Sequence, residues 1–163
     1  MSERPIRLFG DPVLTAACAP VDLGSDGVPG LVEDLLDTVR LPGRAGVAAN
    51  QIGVGVRAFS YNVDGAVGYL LNPELVSVEG DPVEMDEGCL SVPELWFPVL
   101  RHPAATARGV DLEGNVVEVS GTGVLAQALQ HETDHLEGRL YIHRLTPERR
   151  REAMRRIRTS GWF

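Results

Sequence analysis

A His-Glu-x-x-His pattern lies in Gln130-His131-Glu132-Thr133-Asp134-His135-Leu136, within a run whose apolar spacing indicates a helix. Residues four positions apart lie on the same helix face, one turn above each other, so His131 and His135 can bind one metal ion. The carboxylate of Glu132 is placed to handle protons for a water molecule on that ion. The pattern therefore predicts a metal-dependent hydrolase whose metal is held by a helix.

The size and composition of the chain predict one globular domain over residues 1–163. The 163 residues are 44% apolar, which suits a single packed core. The sequence contains no apolar run near the ~20 residues that a membrane span needs, so we expect no membrane association. The start, Met1–Pro5, lacks the basic and apolar pattern of a secretory signal, which predicts a cytoplasmic protein.

Basic residues are concentrated at the C-terminus. Seven Arg and two Glu between Arg144 and Phe163 give this segment a net charge of +5, whereas the whole chain carries −8. Thr146 as N-cap and Pro147 at the first helical position predict a basic helix over about residues 147–158. Its Arg residues are interpreted either as a solvated face or as an electrostatic contact with RNA of the ribosome.

Several helices and short strands are predicted along the chain. Because Asp, Gly, Asn and Pro turns separate the strands, we expect an α+β fold in which short antiparallel β-sheets pack around a central metal-binding helix. The predicted helices are Val13–Cys18, Pro29–Val39, Gly121–Glu137 and residues 147–158; the predicted strands are Val56–Tyr61, Val67–Leu71, Leu75–Val78, Gly88–Val92, Ala104–Leu112 and Val116–Val119.

A third metal ligand is needed, because catalytic sites usually combine three protein ligands with one open position. Cys89 is the strongest candidate, since it lies beside Gly88 in Glu-Gly-Cys-Leu-Ser. A lone cysteine is also commonly a small buried apolar residue, so this alternative stays open. His102 and His143 are the remaining histidines, and His143 is interpreted as an ordinary polar residue.

Three segments together resemble the signature motifs of bacterial peptide deformylases. They are Gly46-Val47-Ala48-Ala49-Asn50-Gln51, Glu87-Gly88-Cys89-Leu90-Ser91 and Gln130–His135, in the order and at the separations usual for that family. The resemblance extends over nearly the whole chain. It implies removal of the N-formyl group from N-formylmethionyl nascent peptides, with release of formate.

The resemblance also implies a ligand set and a cofactor. Cys89, His131 and His135 hold one divalent ion, with a water in the fourth position. Fe(II) is the ion expected in the cell, and Zn or Ni can also occupy such a site in purified samples. Donor chemistry does not choose among these ions, because one thiolate and two imidazoles suit several of them.

Roles for further residues follow from the same resemblance. Glu132 is the general base and then the general acid, while the side-chain amide of Gln51 and the backbone N–H of Leu90 stabilise the oxyanion. The substrate contacts are expected at Gly46, Val47 and Gly88, with Val47 as a candidate for the apolar wall around the methionine side chain.

Additional contacts are predicted around this site. Asp134 is interpreted either as a carboxylate that orients His135 or as a solvated charge. Glu87 is expected to contact Arg44 or another Arg near the site. Gln127 indicates either a modified substrate pocket or a side chain that points to solvent.

Two departures from the family pattern and three rival functions remain. Arg44 stands where the glutamine motif commonly has Gly, and Trp96 lies near a position that is often basic. The rivals are a metallopeptidase that cleaves peptide bonds, a cysteine hydrolase with Cys89 as nucleophile and His131 as base, and a binding module without catalysis. The presence of both Glu132 and Gln51 argues against the last.

Overall fold

The computed structural model describes residues 3–163. Met1 and Ser2, at the start of the segment that lacks a secretory pattern, lie outside the described residues. Residues 3–163 contain no helix that is long and apolar enough to cross a membrane.

Along residues 3–163, one α-helix precedes a series of antiparallel strands and two α-helices follow it. The α-helices are α1 (Val28–Val39), α2 (Gly123–Leu136) and α3 (Pro147–Arg158). Short 3-10 helices occur at Pro12–Leu14, Ala49–Ile52 and Tyr141–Arg144. The strands are β1 (Gly46–Ala48), β2 (Ala58–Val63), β3 (Ala66–Glu79), β4 (Val83–Cys89), β5 (Val92–Arg101), β6 (Ala104–Val110) and β7 (Val116–Thr122).

Within the described range the strands form a five-stranded sheet and a two-stranded sheet. The larger sheet has the order β1-β2-β3-β6-β7, and the smaller one is the β4–β5 hairpin. Neighbouring strands pair antiparallel throughout. This arrangement confirms the predicted α+β class, and it leaves β1 as an edge strand of the larger sheet.

The strand predictions were partly wrong, because non-local contacts decide where pairing begins and ends. Val67–Leu71 and Leu75–Val78 belong to the single strand β3, which is interrupted in register around Asn72. Asn72 has a φ of +49° and binds the backbone of Val21 through both atoms of its amide. The predicted strand Gly88–Val92 is instead the end of β4, a two-residue turn and the start of β5.

The first predicted helix was also wrong in extent. Val13–Cys18 was expected to be helical, but the ordered turn spans Pro12–Leu14. The Asp11 carboxylate accepts a hydrogen bond from Val13 N at 3.0 Å and so caps this turn. The turn does not extend into a helix, because Cys18 N instead donates to the carbonyl of Leu136 at the end of α2.

Local hydrogen bonds and backbone conformation form the turns and helix ends elsewhere. In the β6–β7 turn, Asp111 accepts hydrogen bonds from the backbone of Glu113 and Asn115, both at 2.9 Å. Gly138 has a φ of +77° just after α2, and an added Cβ would lie 2.7 Å from the Thr15 carbonyl oxygen, so glycine is required there. Thr146 caps α3 as predicted, accepting from Arg149 N at 3.3 Å.

Three apolar clusters pack these elements against one another. In the first, α2 packs Ala126 and Leu129 against Phe59 and Leu70 of the larger sheet. In the second, α1 packs against the 3-10 helix Ala49–Ile52 and the other side of β1, β2 and β3. In the third, the β4–β5 hairpin packs against Tyr141–Arg144 and α3. The end of β4 is thereby brought beside α2.

Candidate metal centre and active site

Among residues 3–163, three potential metal donors meet where α2 passes the end of β4. His131 and His135 lie one turn apart on α2, with their Nε2 atoms 3.1 Å apart. Cys89, the last residue of β4, places Sγ 3.5 Å from Nε2 of His135. The three donor atoms all lie within 4.8 Å of one another. The fold therefore brings together the three residues that were predicted as ligands.

The chemistry of this donor set fits a divalent transition-metal ion. Burial lowers the pKa of His135, and the charges of His131 and Arg101 lower it further, which favours a neutral imidazole. Burial also acts to lower the pKa of His131, but contacts with Cys89 and Glu87 outweigh it and raise that pKa well above its ordinary value. A thiol and two converging imidazoles match the donors that such ions prefer.

Glu132 is buried beside the donors. Its side chain is 3% exposed, and its Oε2 lies 4.0 Å from Nε2 of His131. Burial raises the pKa of Glu132 to about 7, against the opposing charge of His131. Its Oε1 has no hydrogen-bond partner among the described residues. A carboxyl group in this state can both accept and release a proton near neutral pH.

Gly46 lies directly against Glu132. A Cβ atom added at position 46 would be 2.6 Å from Oε2 of Glu132 and 2.8 Å from its Cγ. Such distances are shorter than real Cβ contacts, so glycine at this point of β1 provides the space that the carboxyl group occupies. This packing role was not visible in the sequence, where Gly46 was predicted to contact substrate.

A buried network of charges extends from His131 to the surface. Nδ1 of His131 lies 2.5 Å from Oε2 of Glu87, and Arg101 binds both oxygens of Glu87 at 2.8 and 2.6 Å. Arg101 also binds Asp134 at 2.9 Å, and Arg144 binds both oxygens of Asp134. Burial acts to raise the pKa of Glu87, but the Arg101 and His131 contacts outweigh it and lower that pKa to about 2.

This network fixes the orientation of His131. In the neutral tautomer of His131, Nδ1–H donates a hydrogen bond to the ionised Glu87, which leaves the Nε2 lone pair free for a metal. Glu87 does contact an Arg, as expected, but it is Arg101, whereas Arg44 donates to the Thr38 carbonyl. The Asp134 carboxylate is largely buried and binds Arg101 and Arg144. It therefore neither orients His135 nor lies free in solvent, so both predicted roles were wrong.

Gln51 is oriented from both ends of its amide. Its Oε1 accepts a hydrogen bond from Ala48 N at 3.0 Å, and its Nε2 donates to Ser91 Oγ at 3.1 Å. The same Nε2 lies 3.7 Å from Cys89 Sγ, so the donor end of Gln51 faces the candidate metal ligands. Ser91, fully buried, was quoted in the second motif but had no role in the sequence analysis.

Asn50 is a further residue that sequence reasoning missed. It is fully buried, and its Nδ2 donates to the backbone carbonyl of His135 at 2.7 Å. This bond ties the 3-10 helix Ala49–Ile52 to the C-terminal end of α2. The only signal in the sequence was its place beside Gln51 in the first motif.

A cavity of about 490 Å³ opens onto Glu132 and two of the donors. It is lined by residues 43–46 at β1, by 86–90 and 92–96 of the β4–β5 hairpin, and by Gln51, Val124, Gln127, Ala128, His131 and Glu132. Gly46, Gly88 and Leu90, predicted to contact the substrate or the oxyanion, are therefore on its wall.

The remaining predicted residues differ in their position relative to the cavity. Val47 is fully buried in the cluster beneath β1 and does not line the cavity, because successive strand residues point to opposite faces. Gln127 does line the cavity, where its Nε2 donates to the Asp86 carbonyl at 2.9 Å. His102 and His143 are outside the donor cluster, and Nδ1 of His143 accepts from Leu140 N.

Two imidazoles, a thiol and a buried carboxyl group at the base of a cavity define a hydrolase with a candidate metal site. Residues 3–151 match the family model described as polypeptide deformylase. The chain belongs to the peptide deformylase family.

Individual relatives agree with this assignment. A peptide deformylase of Acidothermus cellulolyticus is 47% identical over 162 residues, covering 99% of this chain and 89% of the relative. Peptide deformylase 2 of Streptomyces coelicolor is 44% identical, covering 98% and 92%. A crystal structure of a peptide deformylase from Legionella pneumophila has a TM-score of 0.89 at 35% identity, covering 96% of this chain and 94% of that one.

The membership makes this chain an enzyme of that family, whose members use a divalent metal and remove the N-formyl group from nascent peptides.

Proposed function

We propose that this chain hydrolyses the formyl amide of peptides that begin with N-formylmethionine, using Cys89, His131 and His135 as metal ligands and Glu132 as the proton-transfer group. The observation that carries the proposal is the buried carboxyl group of Glu132, which lies beside the converging donors at the base of the cavity. A binding module would need no such group.

The ion itself is proposed to be Fe(II) in the cell, with Zn or Ni as substitutes in purified protein. When bound, a divalent ion lowers the pKa of a coordinated water and polarises the formyl carbonyl group. Glu87 supports this assignment, because its carboxylate holds the Nδ1 proton of His131 and so directs Nε2 into the donor cluster.

Glu132 is proposed to transfer the protons of the reaction. It accepts a proton from the attacking water and later delivers one to the departing amine of methionine. Its burial supports both steps, since the raised pKa keeps the protonated and ionised forms accessible near neutral pH. Positioned acid–base groups typically contribute about 10²- to 10⁴-fold to a rate.

Gln51 Nε2 and the backbone N–H of Leu90 are proposed to stabilise the oxyanion that forms at the formyl carbon. Gln51 is suited to this role because Ala48 and Ser91 hold both ends of its amide, so little reorganisation is needed. Leu90 lies in the tight turn between β4 and β5 and lines the cavity. Removal of one such donor typically costs about 10²- to 10³-fold in kcat.

The peptide is proposed to bind in an extended conformation between β1 and the β4–β5 hairpin. β1 is an edge strand, and Gly46 and Gly88 on the cavity wall permit close approach of another backbone. Since the Val47 side chain points into the core, its contact with substrate would come from the backbone. Ala128 and Gln127 of α2 then face the methionine side chain.

Formate release from formyl-Met-Ala-Ser, with metal analysis of the same anaerobic sample, tests the proposal. We expect about one metal per chain and a loss of at least about 10²-fold for Glu132→Gln, with bound metal retained. Cys89→Ala should lose both metal and activity. Glu118→Gln, an exposed carboxylate on β7, is the matched control.

The rival functions predict different results. Cleavage of an internal peptide bond without formate release would identify a metallopeptidase. Activity that resists chelators but is lost on alkylation of Cys89 would identify a cysteine hydrolase.

A contact of α3 with ribosomal RNA is proposed as a second property. Arg150, Arg151 and Arg158 are exposed, and no described carboxylate forms an ion pair with them, whereas Arg149 and Arg155 pair with Glu84 and Glu152. Ala153 and Ile157 dock the helix, so its outer face stays open to an anionic partner.

Salt-dependent binding to ribosomes tests this contact. Replacing Arg150, Arg151 and Arg158 by Gln should weaken co-sedimentation and reduce its dependence on salt concentration. The exposed Arg108 on β6 is the control, and an unchanged salt dependence in the triple variant would contradict the contact. We also propose a cytoplasmic location and a single catalytic domain over residues 1–163.

A further inference from the structure

Trp96 occupies an unusual place at the mouth of the cavity. Its side chain is 67% exposed, although tryptophan is mostly buried in folded proteins. It nevertheless lines the same cavity as Glu132 and Cys89. Val124 on α2, 53% exposed, is a second apolar residue on this wall. Two exposed apolar side chains therefore lie at the opening that leads to the candidate metal site.

One face of the indole ring is supported by the backbone of Gly88. A Cβ atom added at Gly88 would lie 2.8 Å from two carbons of the Trp96 ring and 2.9 Å from a third. The ring therefore lies flat on β4 at this point. Glycine is the residue that permits this contact, and any side chain at position 88 would displace the ring.

The backbone on either side of Trp96 is also fixed. Leu95 and Phe97 point into the core and are 6% and 8% exposed. Phe97 pairs with Glu87 across the hairpin, next to Gly88. The indole is thus held in place before any ligand binds, which reduces the ordering cost of a contact on its free face.

The position of the indole matches the residues that follow methionine in an extended peptide. Gly88 immediately precedes Cys89, so their Cα atoms are about 3.8 Å apart. Two residues of extended chain span about 7 Å. If the peptide leaves the donor cluster along β4, its second or third residue passes the ring over Gly88.

We propose that Trp96 is a specificity-determining residue that stacks on an aromatic side chain at the second or third position of the formylated peptide. This inference rests on the proposed function, because it assumes that the peptide enters this cavity. Offset or edge-to-face aromatic pairs contribute enough to change affinity by about two- to tenfold. Asp86 and Glu94, exposed carboxylates on the same wall, disfavour acidic residues at these positions.

Steady-state kinetics on three formyl peptides test the proposal. The wild-type chain should have a kcat/KM about fivefold higher for formyl-Met-Phe-Ser or formyl-Met-Ala-Phe than for formyl-Met-Ala-Ser. Trp96→Ala should remove this preference mainly through KM, and Trp96→Phe should retain most of it. Leu100→Ala is the matched control, because Leu100 is 60% exposed on the same strand but does not line the cavity.

A fluorescence measurement makes the test independent of turnover. The chain contains two tryptophans, so Trp162→Phe leaves Trp96 as the single indole reporter. Saturating Met-Phe-Ser or Met-Ala-Phe should shift its emission more than Met-Ala-Ser does. If no formyl peptide releases formate while this shift occurs, the proposed function fails and the Trp96 contact stands. A preference that survives in Trp96→Ala, or no preference and no emission shift in wild type, would overturn the contact.

Discussion

Gly46→Ala adds one methyl group beside the proposed proton-transfer residue. The new Cβ would lie 2.6 Å from Oε2 and 2.8 Å from Cδ of Glu132, whereas ordinary contacts begin at about 3.4 Å. Glu132 must therefore move by several tenths of an ångström to about 1 Å. Glu132 is 3% exposed and packed against β1, so we expect this movement to displace its carboxyl group from the proposed position of the attacking water. A misplacement of about 1 Å can cost on the order of 10²-fold in rate.

The assay is formate release from formyl-Met-Ala-Ser, together with a denaturant melt of each variant. Gly46→Ala should lower kcat by about 10²-fold with folding retained, because alanine suits a strand whose φ is negative. Gly55→Ala is the control, since an added Cβ there meets no heavy atom within 4 Å.

A double variant separates this explanation from general damage to the site. If Gly46→Ala acts through Glu132, adding it to Glu132→Gln should cost little more than Glu132→Gln alone, because both changes affect one group. A loss of less than about threefold for Gly46→Ala, or fully multiplicative losses in the double variant, would refute the reasoning.

Three further results are expected. Arg101→Ala should lower the free energy of unfolding in urea by about 3–5 kcal/mol, because Glu87 and Asp134 would be buried without their partner. Arg108 is exposed, so Arg108→Ala should cost at most about 1 kcal/mol. In the folded chain the pKa of Glu87 is about 2, below its ordinary value of 4.5. The ionised carboxylate therefore contributes its full stabilisation above pH 4.5, and this contribution is lost as the pH falls towards 2. Glu87→Gln should therefore flatten the fall in stability over that range, and an unchanged slope would contradict the shift. A chelator should lower the Tm of the wild type but not that of Cys89→Ala. The reason is that a metal bound only to the folded state stabilises it by about 2.7 kcal/mol at 100 times its Kd. Equal changes of Tm in the two proteins would argue against Cys89 as a metal ligand.

Much of the site could be predicted because its signals are local. His131 and His135 are one helical turn apart whatever the rest of the fold does, and Glu132 follows from its adjacency to His131. Thr146 and Gly138 likewise mark helix ends through short-range hydrogen bonds and backbone conformation. The resemblance of three motifs then connected Cys89 and Gln51 to the same helix, and the fold places them beside it.

The errors have a common physical origin in non-local contacts. Val47 was expected on the substrate wall, but the pairing of β1 with β2 turns its side chain into the core. Asp134 was weighed between His135 and solvent, yet it binds two Arg residues, one from β5 and one beyond α2. The Gly88–Val92 segment has strand-like composition, but the register of the hairpin makes its centre a turn.

Sequence periodicity alone predicted a helix on which His131 and His135 lie one turn apart and Glu132 follows His131, because helical geometry depends on neighbours within one turn. The tertiary structure determined the burial, the pKa and the orientation of these side chains. The side chain of Arg101, at the end of β5, reaches Glu87 of β4. Gly46 of β1 lies against Glu132, and Trp96 of β5 lies against Gly88 of β4. Burial, pKa and orientation arise from contacts between residues that are distant in the chain, so only the folded arrangement determines them.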